Sequence, residues 1–316
     1  MESGRAIWNS YRIVRDVLIF VSVVINYFIF VIMPITKLEE NNLETGWKAQ
    51  LDLKFSELNN RTILSHRKHS GPLQVQKPFY PETNGTCHVY ILHPPGGVVG
   101  GDRLNICIDV NPNAHALITT PAAGKFYRSA GPVARQQQIL KVAPEGTLEW
   151  VPSENILFSG AKAQIKTKIE LSCDSHFIGW EISCLGRPAS DKIFNQGELD
   201  QSFEVWREGR PLRIEHLRLK GEGLILHAKW GLLGFPVIGS MVCVTDKTGF
   251  LDSLRNIKND SMDQELFSVT QMVDTILCYF LGNSVERARN CFINAWKIFR
   301  QEVFGCVAIE PRIWKT

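Results

Sequence analysis

Between residues 47 and 245 the chain returns again and again to a period of two. Trp47, Ala49, Leu51, Leu53 and Phe55 alternate with Lys48, Gln50, Asp52 and Lys54, the pattern of a strand with one face in a core and the other in water. The same alternation predicts strands over residues 62–68, 73–76, 87–92, 103–110, 115–119, 134–142, 147–151, 163–171, 176–185, 199–207, 211–219 and 241–245. Gly, Pro, Asn or Asp punctuates most of the gaps, which predicts a mainly β fold, with antiparallel or mixed sheets forming one elongated body. No repeat of fixed period and no low-complexity tract interrupts it.

Late in the chain the period lengthens. Phe250, Leu251, Leu254 and Ile257 share one face of a short helix. After Ser284, a good N-cap, Val285, Ala288, Phe292, Ala295, Trp296, Phe299 and Val303 recur at spacings of three and four until Gly305 ends the run. This second helix is expected to lay its apolar stripe, Trp296 and Phe299 included, on a sheet, with Arg287, Arg289, Asn294, Lys297 and Gln301 in water. Residues 273–281, between the two helices, fit either a strand or a buried turn.

The first residues break this pattern. Residues 17–33 are apolar apart from Ser22, Asn26 and Tyr27, with Arg5, Arg12 and Arg15 before them and Pro34 after. That length is borderline for a membrane span and also fits an uncleaved signal-like anchor. A polar stretch, 36–45, then leads to Gly46 and Trp47. Residues 1–45 are therefore expected to lie outside the fold, with residues 46–316 as one domain and Met33 as the physiological start. A cytoplasmic location follows, membrane tethering through 17–33 being the alternative.

Composition narrows the chemistry. In 316 residues the formal charge is +3, with both signs interspersed, so there is no nucleic-acid footprint. The eight cysteines contain no C-x-x-C pair, which argues against a structural zinc site and for free buried thiols. The histidines are dispersed, and His66 and His69, three apart on a strand, point to opposite faces. Neither G-x-S-x-G nor H-E-x-x-H occurs.

What stands out is a loop, HPPGGVVGGD at residues 93–102. Pro94 and Pro95 fix the entry, while Gly96, Gly97, Gly100 and Gly101 permit torsions or close approaches that other residues resist. Val98 and Val99 offer an apolar anchor, and the turn ends on Asp102. A second turn, TTPAAGKFYRS at 119–129, leads into Lys125, Tyr127 and Arg128. Neither is a nucleotide site: Phe126 follows Gly124-Lys125 where a P-loop needs a hydroxyl, and HPPGGVVGGD lacks the G-x-G-x-x-G spacing and precedes a strand.

Two further carboxylates sit within strands, Glu181 in FIGWEISCL and Glu215 in PLRIEHLRL, where alternation puts Glu215 on the same face as Arg213 and Leu217. A strand carboxylate is ordinarily solvated on the outer face. Were these two to share an interior, water, cations or arginines would have to accompany them. Arg187, in the Gly-Arg-Pro turn just after the Glu181 strand, is the expected partner.

GWKAQLDLKF, QKPFYPE, CHVYILHPPGGVVGGD, TTPAAGKFYRS, LEWVPSENILFSGA, CLGRP and the closing PRIW together resemble the urease accessory protein UreD family, called UreH in some organisms, from about Gly46 to Thr316. Residues 1–45 have no counterpart in that pattern. The resemblance implies a mainly β body with two helices and a maturation factor that is not an enzyme. It implies binding to UreF, recruitment through UreF of the GTPase UreG, docking on apo-urease, and passage of nickel(II) supplied by UreE, with no tightly bound cofactor. It further implies an internal water-filled tunnel with Asp102, Glu181 and Glu215 along it, the Gly-rich loop presenting Asp102. Lys125, Tyr127 and Arg128 would shape that region or face a partner, and the last helix with the PRIW tail would belong to the UreF-facing surface.

Overall fold

The computed structural model of the protein describes residues 46–257 and 265–315. Residues 1–45, and with them the apolar run 17–33 and the expected start at Met33, lie outside the described residues. Among the described residues no helix is long and apolar enough to cross a membrane.

The strands are β1 (Lys48–Leu58), β2 (Arg61–Ser70), β3 (Gln74–Val75), β4 (Cys87–Leu92), β5 (Arg103–Val110), β6 (His115–Thr119), β7 (Gly124–Phe126), β8 (Ala134–Val142), β9 (Thr147–Trp150), β10 (Asn155–Leu157), β11 (Lys162–Leu171), β12 (His176–Leu185), β13 (Glu198–Arg207), β14 (Arg210–Lys220), β15 (Val237–Val244), β16 (Leu266–Met272) and β17 (Thr275–Gly282). Two α-helices follow β15 and β17, α1 (Leu251–Arg255) and α2 (Val285–Glu302). One sheet runs in the order β14-β13-β11-β8-β5-β1-β2; the other runs β16-β17-β15-β12-β9-β6-β4-β3, with β7 and β10 attached beside β12.

The mainly β expectation holds, but the centre of both sheets is parallel. From β4 to β13 the chain crosses repeatedly between the sheets, so that β5, β8, β11 and β13 stack in parallel in one and β6, β9 and β12 in the other. Antiparallel pairing is confined to the margins, at β1–β2, β13–β14, β3–β4 and the run β12–β15–β17–β16. Short polar turns between half-buried strands serve a hairpin and a crossing equally well, so alternation and punctuation do not separate the two. The crossings use one device three times: Asn113, Glu145 and Asp174 take φ of 61, 58 and 54° in the turns after β5, β8 and β11. The residues that follow, His115, Thr147 and His176, then start β6, β9 and β12 in register.

A core of Leu51, Leu53, Phe55, Ile108, Leu140, Ile165, Ile169, Phe177 and Val205 fills the space between the sheets. A second core lies on the other face of the larger sheet, where Trp180, Ile182 and Met241 meet Phe292, Trp296 and Phe299 of α2. The helix begins as its sequence demands, the Ser284 side chain accepting from the Arg287 N–H at 3.3 Å. Its last turn is clamped from below. Arg300, fully buried, donates to Glu82 from Nη1 at 3.0 Å and from Nη2 at 2.5 Å and lies 3.6 Å from Glu149. Burial works to raise Glu82, but the hydrogen bonds from His88 and Arg300 outweigh it and hold the carboxyl down at about 2. Glu149 is likewise held low against its burial by His115 at 2.6 Å, by Arg300 and by the Trp296 indole N–H at 2.5 Å.

Other differences are local. Of residues 273–281, the first two form a turn and the rest belong to strand β17 (Thr275–Gly282). The three-residue β7 and β10 and the β16 strand, half-buried nearly throughout without alternation, carry too little pattern to be read, and β15 starts at Val237, four residues before the alternation suggests. Trp47 is 58 % exposed, because the strand begins only at Lys48. None of the eight cysteines forms a disulfide, and five of them are buried. Trp314 of the PRIW tail is not a loose apolar end: its ring packs 5.8 Å from Trp180 and 5.5 Å from Trp296, and its N–H donates to Thr119 at 3.0 Å.

Candidate functional site

Most inward positions of the sandwich are apolar, and the polar ones gather on and beside one line. In the smaller sheet Gln138, Thr167, Phe203 and Glu215 lie side by side in register across β8, β11, β13 and β14. In the larger sheet Glu181, Ser240, Tyr279 and Ser268 do the same across β12, β15, β17 and β16. The two rows face each other. Thr167 hydrogen-bonds both Gln138 and Glu181 across the sandwich, Gln201 of β13 donates to Glu181 Oε2 at 2.5 Å, and Ser183 donates to Gln201 at 2.8 Å. Nearer the edge Ser240 donates to Glu215 Oε2 at 2.7 Å, and Arg213 donates to Glu215 at 3.1 Å and also to Tyr279. A cavity of about 20 Å³, lined by Glu181, Ser183, Gln201, Phe203, Glu215, Leu217, Ile238 and Ser240, sits on this seam. That is room for about one water molecule.

Glu181 is the chemically unusual member. It is 4 % exposed and forms no ion pair among the described residues, and burial, with Glu215 as a further negative neighbour, raises its carboxyl to about 7 despite the hydrogen bonds from Thr167 and Gln201. Hydrogen counting supports a protonated form. The Thr167 hydroxyl has one hydrogen for two oxygen neighbours, Gln138 Oε1 and Glu181 Oε1. With a proton on Glu181, that carboxyl donates to Thr167, which donates to Gln138, and every oxygen is satisfied. With its carboxyl raised to about 7, this group is poised between its protonated and ionised forms around neutral pH.

Glu215 pairs as its alternation predicts, with Arg213 on the same face, and its side chain remains 23 % exposed. Arg187 is not the partner of Glu181. It lies beyond the end of β12 at the surface, its guanidinium 4.7 Å from the Phe158 ring, because the Gly-Arg-Pro turn carries the chain out of the sandwich.

Asp102 does not line the cavity with the other two acids. It is 5 % exposed and turned back into its own loop, accepting from the Trp47 N–H at 2.8 Å through Oδ1 and from the Val99 N–H at 3.0 Å through Oδ2. The loop is thus braced from within. Gly101 takes φ 95°, and a side chain on Gly97 would run into the Tyr127 ring. Val98 alone is the buried anchor, exchanging backbone hydrogen bonds with Lys125 O at 2.7 Å and Tyr127 N at 2.9 Å, while Val99 faces out. So the two singled-out turns are one unit. Lys125 and Tyr127 are half-buried in it, and Arg128 is exposed beside it.

The seam residues Gln138, Thr167, Gln201, Ser183 and Ser240 escaped the sequence analysis. For two of them a signal existed: Thr167 and Gln201 fall at inward parity among Ala163, Ile165, Ile169 and Leu171 of β11 and Leu199, Phe203 and Val205 of β13, whereas Gln138 shares its parity with Gln136 and does not stand out. Among the described residues no three His, Cys, Asp or Glu side chains group as a metal cage.

The model of the family described as UreD urease accessory protein matches residues 48–315. A urease accessory protein UreD of Alcanivorax borkumensis is 40 % identical over 291 residues, spanning 90 % of this chain and 98 % of the relative. UreD 2 of Brucella anthropi is 41 % identical over 276 residues, with 87 and 100 % covered, and UreD of Trichormus variabilis 41 % over 273 residues, with 86 and 97 % covered. With matches of this length and identity, the chain belongs to the UreD family of urease accessory proteins.

Proposed function

We propose that this protein is a urease maturation factor of the cytoplasm that catalyses no reaction of its own. In this reading it is a scaffold that binds UreF and, through it, UreG, meets apo-urease, and passes nickel(II) received from UreE along the polar seam between its sheets. The observation that carries the reading is the meeting of Glu181 and Glu215 at one small polar cavity inside an otherwise apolar sandwich. Carboxylate, hydroxyl and amide oxygens bind a divalent ion and release it, where a thiolate or imidazole cage would retain it. A cavity the size of one water obliges the ion to take its oxygens from the protein. The Glu181 proton leaves as the ion arrives and returns as it departs, which offsets one of the ion's two charges, while Glu215, shared with Arg213, offsets part of the other. Asp102 serves the passage only indirectly, by bracing the loop on which Tyr127 rests.

One observation favours the plainer reading, a scaffold through which no nickel moves. Beyond Gln138 the seam meets Ile106 and the dry core, so it opens towards the β14 side alone. Glu181→Gln and Glu215→Gln together separate the two in the full chain assembled with UreF, UreG and apo-urease. Assembly is followed by gel filtration and urease nickel by mass spectrometry. The conduit predicts an intact complex and a loss of nickel loading; an intact complex with unchanged loading refutes it.

A further inference from the structure

A surface pocket of about 430 Å³ lies outside the seam, at the end of the molecule where β13 begins. It draws on three segments singled out in the sequence that the passage leaves unused: Tyr127 and Arg128 from the second turn, Phe158 and Ser159 after β10, and Arg187 from the Gly-Arg-Pro turn, with Lys192 across from it. None of Arg128, Arg187 and Lys192 forms an ion pair within the described residues, whereas Lys168, Arg213, Arg289, Lys297 and Arg300 all do. The one acidic lining residue, Asp191, is likewise unpaired.

The two arginine side chains are held in place, and Lys192 is positioned through its backbone. Arg187 lies over the Phe158 ring at 4.7 Å, and that ring meets Tyr127 edge-on at 4.9 Å. The aliphatic stem of Arg128 runs across Gly160, where a Cβ would come within 2.8 Å of it. Arg187 and Lys192 are tied by paired backbone hydrogen bonds, Arg187 N to Lys192 O at 2.6 Å and Lys192 N to Arg187 O at 3.1 Å. Holding long basic side chains beforehand removes much of the entropy cost of binding an anion. The pocket is also half apolar, with Tyr127, Phe158 and, on its rim, Ile193, which is 72 % exposed.

We infer that Arg128, Arg187 and Lys192, set on the Tyr127–Phe158 floor, form a docking pocket for an acidic, apolar-flanked segment of a protein partner. The charge selects carboxylates, and the aromatic floor with Ile193 selects a peptide over a free anion, since phosphate brings nothing to cover apolar surface. No α-helix opens its N-terminus on the pocket, as a phosphate site often would. This assignment is independent of nickel passage.

The test is fluorescence anisotropy on the full chain with a labelled Leu-Glu-Glu-Leu peptide as probe. Saturable binding is expected, weakened by added salt and competed by the unlabelled peptide, but not by its Leu-Gln-Gln-Leu counterpart or by inorganic phosphate at equal concentration. Arg187→Glu and Lys192→Glu should each lower affinity by about tenfold, the effect of one lost charged contact. Arg210→Glu, an exposed reversal on the β13–β14 hairpin at the other end of β13, should leave it unchanged. All three substitutions are at exposed positions, and circular dichroism confirms that each variant is folded. Absence of binding, equal loss in Arg210→Glu, or equal competition by phosphate would each overturn the proposal, the last by making the pocket a simple anion site.

Discussion

Replacing Glu181 by Gln should stabilise the protein, and only over part of the pH range. Burial lifts this carboxyl from an ordinary 4.5 to about 7 in the folded chain. Below the unfolded value both states carry the proton, and the group costs nothing. As pH rises from there, the unfolded chain ionises freely while the folded chain keeps its proton, so stability falls steadily until the folded value is reached and then levels off. At about 1.4 kcal/mol per pH unit, the loss amounts to about 3 kcal/mol above neutrality. Glutamine escapes it: its carbonyl accepts from Gln201, and its amide donates to Thr167, which still donates to Gln138 as it does to a protonated carboxyl. Urea unfolding of the two proteins from about pH 4 to about pH 8 reads the difference directly, as midpoints at unchanged slope. The midpoints should nearly coincide at the acid end and separate towards pH 8, with the variant the more stable. A gap that does not change with pH, or a less stable variant at pH 8, would refute both the buried proton and the hydrogen-bond chain built on it.

Two further outcomes follow from the same packing. Asp102→Ala leaves the Trp47 and Val99 N–H groups without their acceptor and should cost about 2 kcal/mol in denaturant unfolding, with Asp102→Asn recovering roughly half through its one remaining oxygen; nickel loading per folded molecule should not change, as expected of a brace and not of a ligand. Arg300→Leu removes the buried cation shared by Glu82 and Glu149, leaving them only His88, His115 and the Trp296 N–H, and should cost about 3 kcal/mol near neutral pH. Because Glu82 is held down at about 2, the stability it contributes is present above 4.5 and lost as pH falls from there towards 2, so the Arg300→Leu deficit in thermal unfolding should shrink in acid.

The order of strands, the second helix with its Ser284 cap and the burial of Trp296 and Phe299 were determined by the sequence itself, since a strand that is wet on one face and a helix that is wet on one face each leave a period behind. The three crossing turns left no such trace: Asn113, Glu145 and Asp174 are as fit for hairpins, and only the stacking of β5, β8 and β11 makes them passages between sheets. Glu215 could be placed beside Arg213 from alternation because β14 lies at a sheet edge. Glu181 could not, because β12 is covered on both faces, with Trp180 towards α2 and Glu181 towards the opposite sheet, so nearly every position in it is buried and parity carries no signal. Asp102 was visible as the end of a constrained loop, yet which way its carboxylate turns depends on the N–H of Trp47, 55 residues earlier in the chain. Periodicity records contact with water, and tertiary structure alone decides which two buried faces meet.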